Sequence, residues 1–364
     1  MARKVLILGA SYGSLLGTKL SMAGHDATLV CRDRTASLIN AEGAEVRITL
    51  KGEGSPRSIR SADHPGKLDA VTPQAVDPAD FDLVVLAMQE PQYSAPEIRV
   101  LMRRIAEAEV PCLSIMNMPP VPYLTRIAEL GSIALDTVAL EPAYTDASLW
   151  DRFQPGLMSL CSPDPQAFRP PGEANNILHV GLATNFKAAP FADPAHTRML
   201  ADLARDIDAV RLDGHEVPVK LRVHDSLFVP MAKWAMLLAG NYRCLTLGGQ
   251  RPIAEAVNDE IEIARSVYTF VNMLTAKLGA APEDQVPFQK YATAAAALTK
   301  PSSAARAVGS GATKIERVDR LVQLIGDQVG MRHPVADALV RVINARLLRN
   351  EEALIAAADD RSAA

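Results

Sequence analysis

The sequence predicts an α/β domain built on parallel strands followed by an all-α domain, and three observations carry that prediction. Short apolar runs at 5–8, 27–31, 81–88 and 111–116 alternate with helical patterns in the first part of the chain, which implies a parallel sheet with crossover helices. From about residue 223 the strand signal gives way to one amphipathic helical pattern after another. At 364 residues the chain is also too long for one small core, so two domains are expected, residues 1–222 and 223–364.

Residues 5–34, VLILGASYGSLLGTKLSMAGHDATLVCRDR, organise the first domain. An apolar strand breaks at Gly9, and a helical pattern with Leu15, Leu16, Leu20 and Met22 follows and stops at Gly24. A second strand over 27–31 ends at Arg32. Strand, glycine turn, helix and strand make a βαβ unit, whose right-handed crossover sets the two strands parallel. The dinucleotide fingerprint is G-x-G-x-x-G, in which glycines admit a pyrophosphate to the backbone at a helix N-terminus. Here the order is Gly9-Ala10-Ser11-Tyr12-Gly13, with Gly17 one turn on. Either Ser11 stands at the middle glycine of a loop shortened by one residue, or the loop turns differently. A Rossmann-type domain is expected, with Gly9, Ser11, Tyr12 and Gly13 at the cofactor. An acidic residue at the end of the second strand would suit the ribose 2′-hydroxyl of NAD, whereas Arg32 suits a 2′-phosphate, so NADP(H) is expected. Arg34, Arg3 and Lys4 add positive charge nearby; the plain alternative for Arg32 is a solvated loop residue.

Composition narrows the class. A formal net charge of −4, with 48% apolar and 22% charged residues, gives no bulk electrostatic reason to expect nucleic acid or an anionic membrane as partner. No uncharged apolar run has the length of a membrane span, and MARKVLIL passes straight into a strand, unlike a signal peptide. Cys31, Cys112, Cys161 and Cys244 are far apart, without a C-x-x-C pair, and read as buried thiols of a cytoplasmic protein. The seven histidines form no ligand spacing, so no metal is expected.

Along the chain, 44–60 alternates about a Gly-Glu-Gly-Ser-Pro turn and predicts a β-hairpin. The strand over 81–88 ends at Gln89-Glu90-Pro91-Gln92, a helix is expected over 94–108, and the strand over 111–116 ends at Asn117. A further strand is expected over 132–139. Ligands of open α/β sheets bind outside the carboxyl ends of the strands, so the turn after Leu8, the segment 89–92 and Asn117 are expected on one edge. Residues 145–195 are rich in proline and glycine and read as an irregular extension, with one strand near 178–182. A helix is expected over 197–210. In the second domain, helices are expected over 228–247, 253–278, 291–299, 315–329 and 335–355.

On these residues the chain resembles the ketopantoate reductase family, NADPH-dependent 2-oxo acid reductases with a Rossmann domain and a helical domain. Residues 5–34 are similar to the family's G-A-G-x-x-G-S-L-L-G opening with its later G-H and L-V-x-R, less one loop residue. DLVVLAMQEPQ at 82–92 resembles its third-strand motif; Gln89 stands where the family usually has lysine, and Gln92 matches its glutamine. Asn117 stands at the family's asparagine, with Met118 and Pro119 replacing the usual glycine step. Lys233, with Asn241 downstream, resembles the catalytic lysine helix, and Pro301-Ser302-Ser303 with Lys314-Ile315-Glu316 resembles the serine pair and glutamate. Two family polar positions are apolar here, Leu237 and Ala307.

The resemblance implies hydride transfer from a nicotinamide to the carbonyl of a small carboxylated substrate, giving a 2-hydroxy acid. Lys233, flanked by Ala232 and Trp234, is the expected proton donor; its structural alternative is a snorkelling helix lysine. Asn117 would bind the carbonyl or the nicotinamide ribose, or else cap a turn. Glu316 would orient Lys233, or lie solvated on a helix. Asn241 and Ser303 are expected at the substrate, although Ser302-Ser303 equally suits a helix cap. Arg243 and Arg306 are spare cations for a carboxylate. Helical second domains of this kind often dimerise, so a homodimer is one expected state. The alternatives are an opine-type dehydrogenase reducing an imine, for which His224-Asp225 is a weaker acid pair, and a non-catalytic NADP(H)-binding regulator.

Overall fold

A computed structural model describes residues 2–130, 133–170 and 172–363. The chain separates into one unit of Met1–Arg126 with Ser148–Pro230 and another of Ile127–Ala147 with Met231–Ala364.

In the first unit the opening apolar run is β1 (Lys4–Leu8), whose last four residues are all buried. Helix α1 (Tyr12–Met22) leads to β2 (Asp26–Val30), which pairs parallel with β1, Leu6 opposite Thr28. After α2 (Asp33–Glu42) comes the expected hairpin of β3 (Glu45–Thr49) and β4 (Pro56–Arg60). Strand β5 (Leu68–Val71) extends the sheet beyond β2, while β6 (Leu83–Leu86) joins the other side of β1. The chain then forms α3 (Pro96–Glu107), β7 (Cys112–Ile115) beside β6, and α4 (Val121–Glu129), which runs across the boundary residue Arg126.

The stretch expected to be irregular, 145–195, carries four strands: β8 (Met158–Ser162), β9 (Gln166–Phe168), β10 (Ile177–Leu182) and β11 (Phe186–Ala188). They are three to six residues long and set among prolines and glycines, so they leave little periodicity to read. Helix α5 (Pro194–Ala209), a two-residue ladder of β12 (Arg211–Leu212) with β13 (His215–Glu216), and β14 (Leu221–Val223) complete the unit. The large sheet runs β14-β11-β8-β7-β6-β1-β2-β5, and a second sheet runs β4-β3-β10-β9. From β5 to β8 every pairing is parallel. The order reverses between β1 and β6, the switch point at which such sheets bind ligands.

The strand expected over 132–139 is absent from the described part of that stretch. Asp136 accepts hydrogen bonds from the Val138 and Ala139 amides (3.0 and 3.3 Å), and a tight helical turn over Val138–Ala143 follows, with Pro142 inside it. A carboxylate that turns its own backbone competes with strand pairing. Ser132 lies outside the described residues. The strand beside β7 is β8 instead.

Val5, Ile7, Leu15, Leu29, Val85, Leu113 and Ile115 form the centre of the first unit's core, each aliphatic side chain contributing about 1.5–3 kcal/mol by burial. Lys19, on α1, is also 2% exposed, and its ammonium nitrogen donates to the Val217 carbonyl at 3.1 Å. Burial lowers its pKa to about 7, with Lys220 adding to the shift and Asp208 opposing it. The unfolded chain keeps that proton up to about pH 10. Between the two values the unfolded state binds more protons, so stability rises with pH above 7 and is lowest where both states are charged. Relative to Lys19→Met, the native protein is expected to gain roughly 2–3 kcal/mol between pH 7 and 9.5, read by urea unfolding of both proteins at the two pH values. A constant gap between the two proteins would refute the assignment.

The second unit is helical. The run expected as one helix over 228–247 is a tight turn (Val229–Ala232), α6 (Lys233–Met236), a π-turn over Leu237–Asn241 and another tight turn (Tyr242–Cys244). The run expected over 253–278 divides into α7 (Ile253–Asn258) and α8 (Ile261–Leu278), the backbone leaving helical geometry at Glu260. Helices α9 (Phe288–Ala295), α10 (Ser303–Gly309), α11 (Val318–Gln328) and α12 (Pro334–Ala363) follow. Helix α12 continues well past the residue 355 expected for its end.

Candidate cofactor and active site

At the sheet's switch point, Gly9 follows β1 with φ +104°, and a Cβ there would lie 2.7 Å from Met88 Cγ and 2.8 Å from the Ala87 carbonyl oxygen. Only glycine fits both the conformation and the approach of the loop after β6. Gly13 serves a different purpose: in the first turn of α1, its Cβ would lie 2.9 Å from Ile7 Cγ2, so its absence lets the helix rest on β1. The fingerprint's turn and packing glycines are therefore both present, one residue closer than usual, with Ser11 between them at the helix cap. Ser11 makes no side-chain cap hydrogen bond, and the first turn of α1 holds no acidic residue, so the positive end of the helix is open to an anion. Tyr12 turns its hydroxyl onto the Pro165 carbonyl (3.0 Å) and its ring edge-on to Phe186.

Arg32 is exposed at the end of β2, where it occupies the cap position of α2. Beyond β6, Gln92 uses its side-chain oxygen to accept from the Gln89 amide (3.0 Å), closing the turn Glu90–Ser94; both glutamines are exposed. Asn117 is half-buried, two residues past the end of β7. Strands β2, β1, β6 and β7 are neighbours in that order, so Gly9, Ser11, Tyr12, Gly13, Arg32, Gln89, Gln92 and Asn117 all stand on one carboxyl edge.

Lys233, Asn241, Ser303 and Glu316 belong to the second unit. Lys233 is half-buried at the start of α6. Eight residues of ideal α-helix advance about 800°, which would leave Asn241 some 80° round from it. Within the π-turn the Tyr242 amide bonds the carbonyl five residues back, at Leu237. Accommodating that extra residue brings the phase close to an i, i+7 relation, so Asn241 turns toward the face of Lys233. The Asn241 carbonyl accepts from the Ser302 hydroxyl (2.6 Å), and Ser302 also accepts from the Ala305 amide as cap of α10. Ser302 is thus the serine tied to Asn241, while Ser303 is exposed. The buried Tyr242 donates to the backbone carbonyl of Glu316 (2.6 Å) and accepts from the Val318 amide (3.2 Å). Burial, with Asp319 and Glu316 nearby, pushes its pKa well up, so the phenol stays neutral. Arg317 grips Asp319 with two bonds of 3.0 and 2.9 Å. Glu316, 6% exposed, is held against the Lys233 run by this loop and does not lie solvated on a helix.

Arg243 is not the spare cation expected. It is 6% exposed and donates to the Ala239 and Ala256 carbonyls and to Glu260 (2.7 Å). Arg306 is exposed, with its guanidinium on the Pro301 carbonyl. Leu237, at a polar position of the family resembled, is buried in the π-turn. Sequence reasoning missed Arg169, whose guanidinium reaches the Ala10 carbonyl at 2.7 Å; no local pattern around PQAFRP signals that contact. Among the described residues, no three His, Cys, Asp or Glu side chains are placed to hold a metal, and no helix is long and apolar enough to cross a membrane.

A Rossmann-type unit followed by a helical one is the fold shared by ketopantoate reductases and D-mandelate dehydrogenase. A protein of Ralstonia solanacearum MolK2 assigned as a ketopantoate reductase superposes with a TM-score of 0.68 at 14% identity, over 96% of this chain and 99% of its own. The 2-dehydropantoate 2-reductase of Methylococcus capsulatus gives 0.64 at 12% identity, over 95% and 97%. D-mandelate dehydrogenase, solved with NADH and anilino(oxo)acetate, gives 0.63 at 12%, over 96% and 99%. At these identities the likeness is one of fold. No protein-family model and no curated protein matches the chain in sequence.

Proposed function

We propose that this protein is an NADP(H)-dependent oxidoreductase that reduces the carbonyl of a small 2-oxo acid to a 2-hydroxy acid, in the manner of the ketopantoate reductases. The observation that carries the reading is the glycine turn at the β1/β6 switch point, with an open helix N-terminus and Arg32 at the end of β2. These residues fit a dinucleotide: Gly9, Ser11 and Gly13 would hold its pyrophosphate, Arg32 its 2′-phosphate, and Gln89, Gln92 and Asn117 its nicotinamide half. The cofactor supplies the hydride. Lys233 donates a proton to the alkoxide oxygen as it forms, and Glu316 orients Lys233. Asn241 and Ser303 hold the substrate carboxylate by hydrogen bonds. A homodimer belongs to the same reading and is checked by light scattering.

Leu237 and Ala307 replace polar residues of the family resembled, which favours an apolar 2-oxo acid over hydroxylated ketopantoate. The test is NADPH oxidation against a panel of 2-oxo acids headed by ketopantoate and including branched and aryl members, with and without amino acids. Turnover is expected without amine and fastest on an apolar member. Turnover that requires an amine would move the protein to the opine class. Tight NADPH binding with no turnover on any member would make it a binding protein and overturn the catalytic reading.

A further inference from the structure

We propose that Arg169 is a second anion anchor of the cofactor site, closing with Arg32 on the 2′-phosphate of the adenosine half; this rests on the NADP(H) reading above. Arg169 follows β9 directly, and so comes from the second sheet and not from the βαβ unit that carries the glycine turn. It is nevertheless folded onto that turn. Its Nη2 donates to the carbonyl of Ala10, between Gly9 and Ser11, across 159 positions of sequence. It also lies within electrostatic reach of the Cys31 thiol at the end of β2, next to Arg32. The ribose 2′ position of a bound dinucleotide falls between these two points, the start of the glycine turn and the end of the second strand.

The electrostatics ask for an anion there. Arg169 is half-buried, and burial lowers its pKa. No carboxylate stands within 4 Å of it or of Arg32 among the described residues, whereas other arginines of this unit, such as Arg3, Arg47 and Arg57, are paired. A partly desolvated guanidinium without a counter-charge is unfavourable until an anion arrives. The Ala10 carbonyl occupies a single donor, and the remaining fork suits two phosphate oxygens. The anchor is also held in place. Strand β9 pairs with β10, which pairs with β3, and the Tyr12 hydroxyl fastens the connection before β9 at Pro165. A side chain so supported approaches the ligand with little ordering cost.

The competing account makes Arg169 a brace that only shapes the Ala10 turn. Calorimetric titration of the native protein, Arg169→Ala and Arg169→Lys with 2′,5′-ADP, ADP, NADPH and NADH separates the two. Arg169→Ala is expected to weaken 2′,5′-ADP and NADPH by about ten- to a hundredfold and ADP and NADH by less than about threefold, with partial recovery in Arg169→Lys. Equal loss for all four ligands would establish the brace and overturn the anchor, and affinities that do not change would overturn the anchor as well. Arg32→Ala should discriminate in the same direction, and thermal unfolding of each variant reports whether the fold is kept. If the native protein binds neither NADPH nor NADH, the cofactor reading itself fails. Native binding of NADPH with Arg169→Ala unaffected refutes the anchor alone.

Discussion

Lys233→Met is expected to lower kcat on the best 2-oxo acid by about 10²- to 10⁴-fold while leaving the NADPH dissociation constant within about twofold of the native value. The split follows from where the residues lie. Every proposed cofactor contact belongs to the unit containing β1, β2, β6 and β7, whereas Lys233 opens α6 in the helical unit. In the mechanism proposed above, removing it takes away a proton at the developing alkoxide, an interaction that strengthens only as charge builds on oxygen, so kcat is expected to fall with kcat/KM. A snorkelling lysine would behave otherwise, and its replacement by an unbranched apolar side chain would leave turnover within about a factor of three. An unchanged kcat, or a parallel loss of NADPH affinity, would remove Lys233 from the proton-donor role.

What the sequence made legible, and what it did not, divides along the range of the forces involved. Gly9, the β1 and β2 strands and α1 were readable because a turn glycine and a run such as Val5-Leu6-Ile7-Leu8 act within a few residues. Gln89, Gln92 and Asn117 could be placed at strand ends because strand order follows from connectivity. Within 145–195 only the strand near 178–182, β10, was readable. Strand β8 becomes a strand by lying against β7, and β11 by lying between β8 and β14, partners remote in sequence. Arg243 shows the same limit: its sequence setting suggested a free cation, yet the Ala256 carbonyl and the Glu260 carboxylate that occupy it come from α7 and its C-terminal flank. Of the serine pair, the second, Ser303, was the one expected at the substrate. What distinguishes them is that Ser302 reaches Asn241, a contact set by how α10 packs on the π-turn. The π-turn itself was hidden because Leu237-Leu238-Ala239-Gly240 reads as ordinary helix, whereas the side chain packed on it, Tyr291, lies about fifty residues on.

The packing of Tyr291 makes Gly240→Ala the most damaging single methyl group foreseen for the helical unit. A Cβ at Gly240 would lie 1.9 Å from the Tyr291 hydroxyl oxygen, 2.9 Å from Val257 Cγ2 and 3.2 Å from Tyr291 Cζ. The tyrosine cannot simply swing away. It is 7% exposed, its ring stacks on Tyr268 at 5.5 Å, and its hydroxyl donates to the Met236 carbonyl at 3.0 Å, where the π-turn begins. Overpacking costs about 1–3 kcal/mol, and breaking the Tyr291 bond adds about 1 kcal/mol, so a loss of roughly 3 kcal/mol of unfolding free energy is expected. Tyr291→Phe alone should cost about 1 kcal/mol, because it removes only that bond. Combined with Gly240→Ala it should restore stability, since the nearest obstructing atom is then gone, and the double variant should exceed Gly240→Ala by about 1–2 kcal/mol. Chemical unfolding of the four proteins closes the cycle. Simple additivity would mean that the methyl is accommodated by backbone movement and that Tyr291 does not hold the π-turn. Rescue would tie the register between Lys233 and Asn241 to one hydroxyl on α9, because relaxing the π-turn to regular helix would rotate Asn241 about 100° relative to Lys233.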